Sequence, residues 1–219
     1  MIFKGLPFFH SNFEVTQIEK DMKNAVVLFL VICFYSTVNP VNAQDTQTPN
    51  PIYDRAETQM RSTDTIPDYR NKTNKLKLTG TVYQSDGVTP AAGVIIYIEQ
   101  PDEDGHFELR RTGEERYVFH RSWVKTDDNG KYTFHTFIPG NNRRYNQLQQ
   151  IFPLVKAPSK QAYELESFIF DEDPLLTKRC RRRLAKHEQT DRILTTKLVD
   201  GIHVAQKNIV LPETSEQVK

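Results

Sequence analysis

The sequence predicts an all-β domain, an antiparallel β-sandwich of about eight strands with one short helix after an Asp-Pro segment. Three observations carry this expectation. Short runs rich in Val, Ile, Tyr, Phe and Thr recur from Leu76 onward, nine glycines and twelve prolines punctuate the chain, and strong turn signals divide the runs.

The first elements in order concern export. The 219 residues suffice for one ordinary domain and an N-terminal extension. From Met22 the chain reads a lysine, an apolar run from Ala25 to about Val38, then Asn39-Pro40 and small residues ending at Ala43. That is the layout of a secretory signal peptide over 22–43, cleaved after Ala43, with residues 1–21 an upstream extension. The apolar run falls short of the ~20 residues a spanning helix needs, so no transmembrane segment is expected after cleavage. A lipidation site at Cys33 competes less well, because Ile32 stands where a small residue is needed and the apolar run continues past it. Export, to the periplasm or the medium, leaves Cys180 as the only cysteine and excludes an internal disulfide. Cys180 reads as a partly buried helix thiol.

Residues 44–75 are polar, carry Pro49, Pro51 and Pro67, and read as a leader or strap lying over the domain. The domain itself occupies 76–211, followed by a tail over 212–219. Leu76 to Tyr83 alternates apolar and polar residues and ends in the Ser85-Asp86-Gly87 turn. Val94 to Ile98 is nearly continuous in apolar residues, as for a strand buried on both faces. Tyr117 to Lys125 and Lys131 to Ile138 read as a hairpin closed by Thr126-Asp-Asp-Asn-Gly130. Further strands are expected at Ile151 to Val155, Tyr163 to Phe170, Ile193 to Val199 and Ile202 to Leu211, with Asp200-Gly201 turning the last hairpin. Pro174 to Lys186 reads as the helix, with Asp171, Glu172 and Asp173 at its positive end and basic residues toward its negative end.

The charge balance excludes some partners. With 29 basic and 28 acidic residues the chain has no general field for nucleic acid or an anionic membrane. The basic run Lys178 to Lys186 lacks interleaved stacking aromatics and reads as a solvated helix face.

Specific residues then narrow the class. Leu78-Thr-Gly-Thr-Val-Tyr-Gln-Ser-Asp-Gly87, Pro90 to Gln100 and Asp104-Gly105, followed by Arg121 to Pro139-Gly140, resemble the opening and central segments of the intradiol ring-cleavage dioxygenases. Pro153 to Pro158 and Phe168 to Thr177 are similar to the segments that follow in an exported bacterial subgroup. The resemblance runs from about residue 76 to 211. It implies a non-haem ferric ion held by two tyrosines and two histidines, and the matching positions here carry Phe107, Asn142, Gln150 and Phe152. Ferric iron wants anionic oxygen together with imidazole. Two phenylalanines and two carboxamides supply neither, so the expectation is no metal and no cofactor.

No substitute set is compact in sequence. Tyr117, Tyr145, His106, His120 and His135 lie in the same half of the domain without a metal-ligand spacing, and His187 and His203 are isolated. Ser122 and Ser167 have no base at a diagnostic spacing, and no Gly-x-Ser-x-Gly, phosphate loop or dinucleotide fingerprint occurs. The leading expectation is therefore an exported binding or scaffold module that has lost ring cleavage. One form of it keeps a small anionic ligand in a pocket edged by Asn142, Arg143, Arg144, Tyr145 and Gln150. A protein partner in a surface assembly is another form. The alternative is an active intradiol-type enzyme that cleaves catechol-like aromatics through a non-standard iron site.

Overall fold

A computed structural model describes residues 50–213. The signal segment 22–43, the extension before it and most of the tail lie outside the described residues. Among the described residues there are fourteen short strands and one α-helix: β1 (Thr63–Thr65), β2 (Lys75–Tyr83), β3 (Ile95–Glu99), β4 (Leu109–Thr112), β5 (Glu115–Val118), β6 (Arg121–Lys125), β7 (Lys131–Phe137), β8 (Gln150–Lys156), β9 (Tyr163–Glu164), β10 (Phe168–Phe170), α1 (Lys178–Lys186), β11 (Ile193–Leu194), β12 (Lys197–Val199), β13 (Ile202–Gln206) and β14 (Ile209–Val210). No helix among these residues is long and apolar enough to cross a membrane.

Two sheets enclose the main core. The first runs β1-β7-β2-β13-β12, with β14 also on β2; the second runs β11-β10-β8-β3-β6, with β9 on β8. Alternation along β2 sends Leu76, Leu78 and Val82 inward, where they meet Ile96 and Ile98 of β3, Phe134 of β7, Ile151 and Val155 of β8, and Phe168 and Phe170 of β10. Each such fully buried side chain contributes roughly 1.5–3 kcal/mol of transfer free energy.

The sheets are mixed rather than purely antiparallel. β1 pairs parallel with β7, β13 and β14 parallel with β2, and β11 parallel with β10. Local turn chemistry specifies hairpins, whereas these parallel pairs arise from crossovers that no local signal announces.

The expected hairpin from Tyr117 to Ile138 does not form. β6 pairs with β3 in the second sheet and β7 with β2 in the first, so Thr126–Gly130 is a corner between sheets. Its turn is nevertheless the one the residues call for: Asp127 Oδ1 accepts from the Asn129 and Lys131 amides at 2.9 and 2.8 Å, and Gly130 has φ +68°. A Cβ on Gly130 would stand 2.5 Å from the Val82 carbonyl oxygen. Thr126 Oγ1 donates to Ala91 O at 2.8 Å and accepts from Val94 N at 2.9 Å, fixing the corner to the strand before β3.

Four expected strands divide, among them the Ile202–Leu211 run, which splits into β13 and β14. Tyr117 and Val118 belong to the β4–β5 hairpin, and β6 begins after the bend at Phe119 and His120. The Tyr163–Phe170 run splits into β9 and β10, and the Ile193–Val199 run into β11 and β12, which lie in different sheets. The Asp200-Gly201 hairpin is present between β12 and β13, with both turn residues at positive φ.

The helix begins at Lys178, later than Pro174, with Thr177 as its N-cap. Its first turn contains no acidic residue. Asp171 instead ion-pairs with Arg181, and Asp173 is 3% exposed and accepts three hydrogen bonds, so these two serve local contacts rather than the helix dipole. Cys180 is a half-buried free thiol on this helix.

Residues 50–62 lie on the outer face of the second sheet. Ile52 and Met60 pack on Ile95, Tyr97 and Trp123, which explains how β3 is buried on both faces. The Trp123 indole N–H donates to Pro51 O at 3.0 Å, and Arg121 Nη1 meets Asp54 Oδ2 at 2.5 Å. The segment then closes the gap left by the corner: Arg61 O accepts from Lys125 N at 2.9 Å and Ser62 O from Thr133 N at 2.8 Å.

Candidate functional site

The four positions that the sequence resemblance matches to iron ligands come from three segments. Residues 102–107 form a turn in which Asp102 Oδ1 accepts from the amides of Asp104 and His106 at 2.9 and 2.8 Å. Gly105, at φ +81°, lets this turn lie directly on the 140–142 backbone, since a Cβ there would stand 2.6 Å from Asn141 C. The Gly140 amide donates to Asp102 O at 2.8 Å. This close contact presents Phe107 beside β8, where its ring lies 5.7 Å from that of Phe152 at a 50° tilt.

Asn142 is 9% exposed and fully engaged. Its Oδ1 accepts from Arg144 N at 3.2 Å, capping a 3-10 turn over Arg143–Tyr145, and its Nδ2 lies 3.4 Å from His106 Nδ1. Gln150 Oε1 accepts from Ser167 Oγ at 2.7 Å. Ser167 is in turn held by Arg192, whose Nη2 donates to its Oγ at 2.8 Å and Nε to its carbonyl at 3.0 Å. At the four positions there are thus two hydrocarbon rings in contact and two carboxamides that tie loops together. This donor set does not fit a ferric ion, which asks for charged oxygen and imidazole.

Asp173 steadies the same loop from behind. Its carboxylate accepts from Gln149 N at 2.7 Å, Asn141 Nδ2 at 3.0 Å and Leu175 N at 2.9 Å. A buried carboxylate with three donors is a structural hub for residues 141–150, and no expectation from the sequence anticipated it.

The structure separates the residues expected to hold an anion. Arg143, Arg144 and Tyr145 are exposed on the 3-10 turn, Arg144 lying 5.6 Å from the Tyr145 ring centroid. Asn142 is buried beneath them, and Gln150 faces Ser167.

The histidines and tyrosines weighed as substitute ligands are likewise dispersed. His120 is 1% exposed between Phe119 and Phe137, with both ring nitrogens lacking a hydrogen-bond partner, and burial lowers its pKa. His135 packs edge-on to Tyr69 and is lowered by burial as well. His203 Nδ1 lies 3.1 Å from Thr196 Oγ1, His187 caps α1, and Tyr117 lies under Arg121. Among the described residues no group of three or more His, Cys, Asp or Glu could hold a metal ion. Ser122 donates to Asp64 Oδ2 at 2.8 Å, an oxygen already paired with Arg55, so that serine serves packing.

A cavity of about 350 Å³ adjoins Phe152 on the outer face of the second sheet. β-Pairing builds it. Glu99 stands opposite Phe152, and Tyr97 opposite Leu154, which is opposite Glu164 on β9. Alternation sends all five side chains to one face, and Asn50-Pro51 and Leu165 close the sides. The Tyr97 hydroxyl donates to Glu99 Oε2 at 2.6 Å; its burial first, then that carboxylate, push its pKa up. None of Asn142, Arg143, Arg144, Tyr145 and Gln150 lines this cavity. The signal that points to it is the Tyr97-x-Glu99 spacing, which places two polar groups on the outer face of an otherwise apolar strand.

No protein-family model matches the chain, and no curated protein matches it. Solved structures do match. The dioxygenase domain of a dioxygenase and carbohydrate-binding protein fusion from Streptomyces sp. SirexAA-E is similar at a TM-score of 0.53 and 18% identity, over 69% of this chain and 87% of that one. An intradiol ring-cleavage dioxygenase from Tetranychus urticae is similar at 0.54 and 18%, over 71% and 87%. Catechol 1,2-dioxygenase from Pseudomonas arvilla C-1 is similar at 0.55 and 12%, over 72% of this chain and 58% of that one. The chain has the fold of the intradiol ring-cleavage dioxygenases.

Proposed function

We propose that this intradiol-fold chain is a binding module that acts outside the cytoplasm and does not cleave aromatic rings. One observation carries the reading: Phe107 and Phe152 occupy two aligned ligand positions with their rings in contact at 5.7 Å. A ring carbon donates nothing to a metal, and a ring pair of this kind is worth about 0.5–1.5 kcal/mol beyond its area burial, with Phe107 still 37% exposed. Asn142 and Gln150 support the same reading, since their amide oxygens already accept from Arg144 N and Ser167 Oγ. Loss of outer-shell support alone lowers metal affinity or activity about 10–100-fold, and here the whole inner set is replaced. The signal-like segment 22–43 supports the location.

Metal analysis of the purified chain tests the reading. The expected result is a colourless protein with substoichiometric iron and no turnover of catechol; one ferric ion per chain with a tyrosinate-to-iron absorption band would overturn it. Amino-terminal sequencing of exported material tests the location, with Gln44 expected as the first residue.

A further inference from the structure

We propose that the cavity beside Phe152 binds a small organic cation, an ammonium group carried on a compact aromatic or apolar body. The inference rests on the binding-module reading and names its ligand class.

Three features converge on this chemistry. The first is unbalanced charge. Glu99 and Glu164 both line the cavity, and neither forms an ion pair among the described residues. The one cation in register with Glu99 is Arg121, its neighbour across β3 and β6. That guanidinium pairs with Asp54 at 2.5 Å and lies over the Tyr117 ring at 4.1 Å; its charge reaches the Tyr97 hydroxyl, but it forms no ion pair with Glu99. Lys125 and Lys156 both pair with Glu57.

The second feature is orientation. Tyr97 holds Glu99 by one oxygen, Oε2, at 2.6 Å, which fixes the carboxylate and leaves Oε1 without a hydrogen-bond partner among the described residues. A half-buried, immobilised carboxylate loses less entropy on engaging a ligand than a free surface one. The third feature is the wall. Phe152 and Leu154 lie between the two carboxylates, on a strand flanked by those of Glu99 and Glu164 about 10 Å apart. A flat or compact apolar body fits against these side chains, and an aromatic face near an ammonium adds cation–π attraction. The volume of about 350 Å³ lies within the range of small-molecule sites. An anion of the same shape would meet two carboxylates and no basic residue among those lining the cavity.

The test compares phenethylammonium with 3-phenylpropionate, two probes of similar body and opposite charge, by calorimetry on the purified chain at neutral pH. The expected result is one phenethylammonium per chain and no measurable 3-phenylpropionate. Glu99→Gln keeps an acceptor for the Tyr97 hydroxyl and should weaken the cation about tenfold or more, as loss of a charge-assisted contact does. Glu164→Gln, at an exposed position, should weaken it by no more than about fivefold. Equal binding of both probes, no binding of the cation, or an unchanged affinity in a folded Glu99→Gln chain each overturns the inference. Iron content and catechol turnover on the same sample keep the two conclusions separate. A metal-free, inactive chain that ignores phenethylammonium loses only this inference, and an iron-loaded, active chain that binds it loses only the module reading.

Discussion

The Phe107 and Phe152 rings, 5.7 Å apart at a 50° tilt, join a loop after the 102–106 turn to the outward face of a central strand of the second sheet. The contact crosses 45 residues of sequence and rests on apolar packing. A double-mutant cycle with Phe107→Ala and Phe152→Ala should therefore return a coupling of about 0.5–1.5 kcal/mol in urea unfolding. Strict additivity would show that the rings are merely near one another.

Asp173 is expected to be among the costliest polar positions to change. Asp173→Ala leaves the Gln149 and Leu175 amides without their acceptor in a site that is 3% exposed, and should destabilise the chain by about 3 kcal/mol or more. Asp173→Asn keeps one oxygen and should cost less. A loss below about 1 kcal/mol for the alanine variant, read from the urea midpoint, would contradict the role assigned to this carboxylate.

Acid should weaken the fold through His120. Its pKa is lowered from the ordinary 6.5 by burial, so the unfolded chain takes up a proton near pH 6.5 while the folded chain does not. The stability is therefore fully present above the unfolded value, falls as pH drops below about 6.5, and levels once the folded pKa is passed. His135 is lowered by burial and adds in the same direction. His120→Phe should flatten, without abolishing, the loss between pH 7.5 and pH 5.5, measured as the change in unfolding free energy. An identical pH slope in wild type and variant would show that His120 titrates freely in the fold.

The segment over the second sheet gives an optical test. Ile52 is 1% exposed in a cluster with Trp123, the sole tryptophan of the chain. Ile52→Ala should cost about 2–5 kcal/mol if the segment unfolds with the domain, and should shift Trp123 emission to the red as the indole gains water. Loss of emission structure without loss of global stability would instead show that residues 50–62 detach as a separate unit.

Some of this was legible before any coordinates. The alternation of Leu76, Leu78 and Val82 fixes a face of β2, the apolar run through Ile98 demands burial on both faces, and Asp200-Gly201 dictates its two-residue turn, because these are local properties of side-chain period and backbone torsion. The residues at 107, 142, 150 and 152, the positions the resemblance matches to ligands, are two phenylalanines and two carboxamides, a donor chemistry that can be read without a structure.

What the sequence could not decide is which partner each surface meets. Asp127 to Gly130 specifies a turn equally well whether the flanking strands pair or part, and only the competing partners β3 and β2 send β6 and β7 into different sheets. Asp173 sits beside two other acids in sequence, yet burial and three donors from distant residues single it out. The pairing of Glu99 with Phe152 and of Leu154 with Glu164, which creates the cavity, is a matter of register between strands remote in the chain. Period and turn propensity act over a few residues and can be read there, whereas register and burial are settled by the whole core at once.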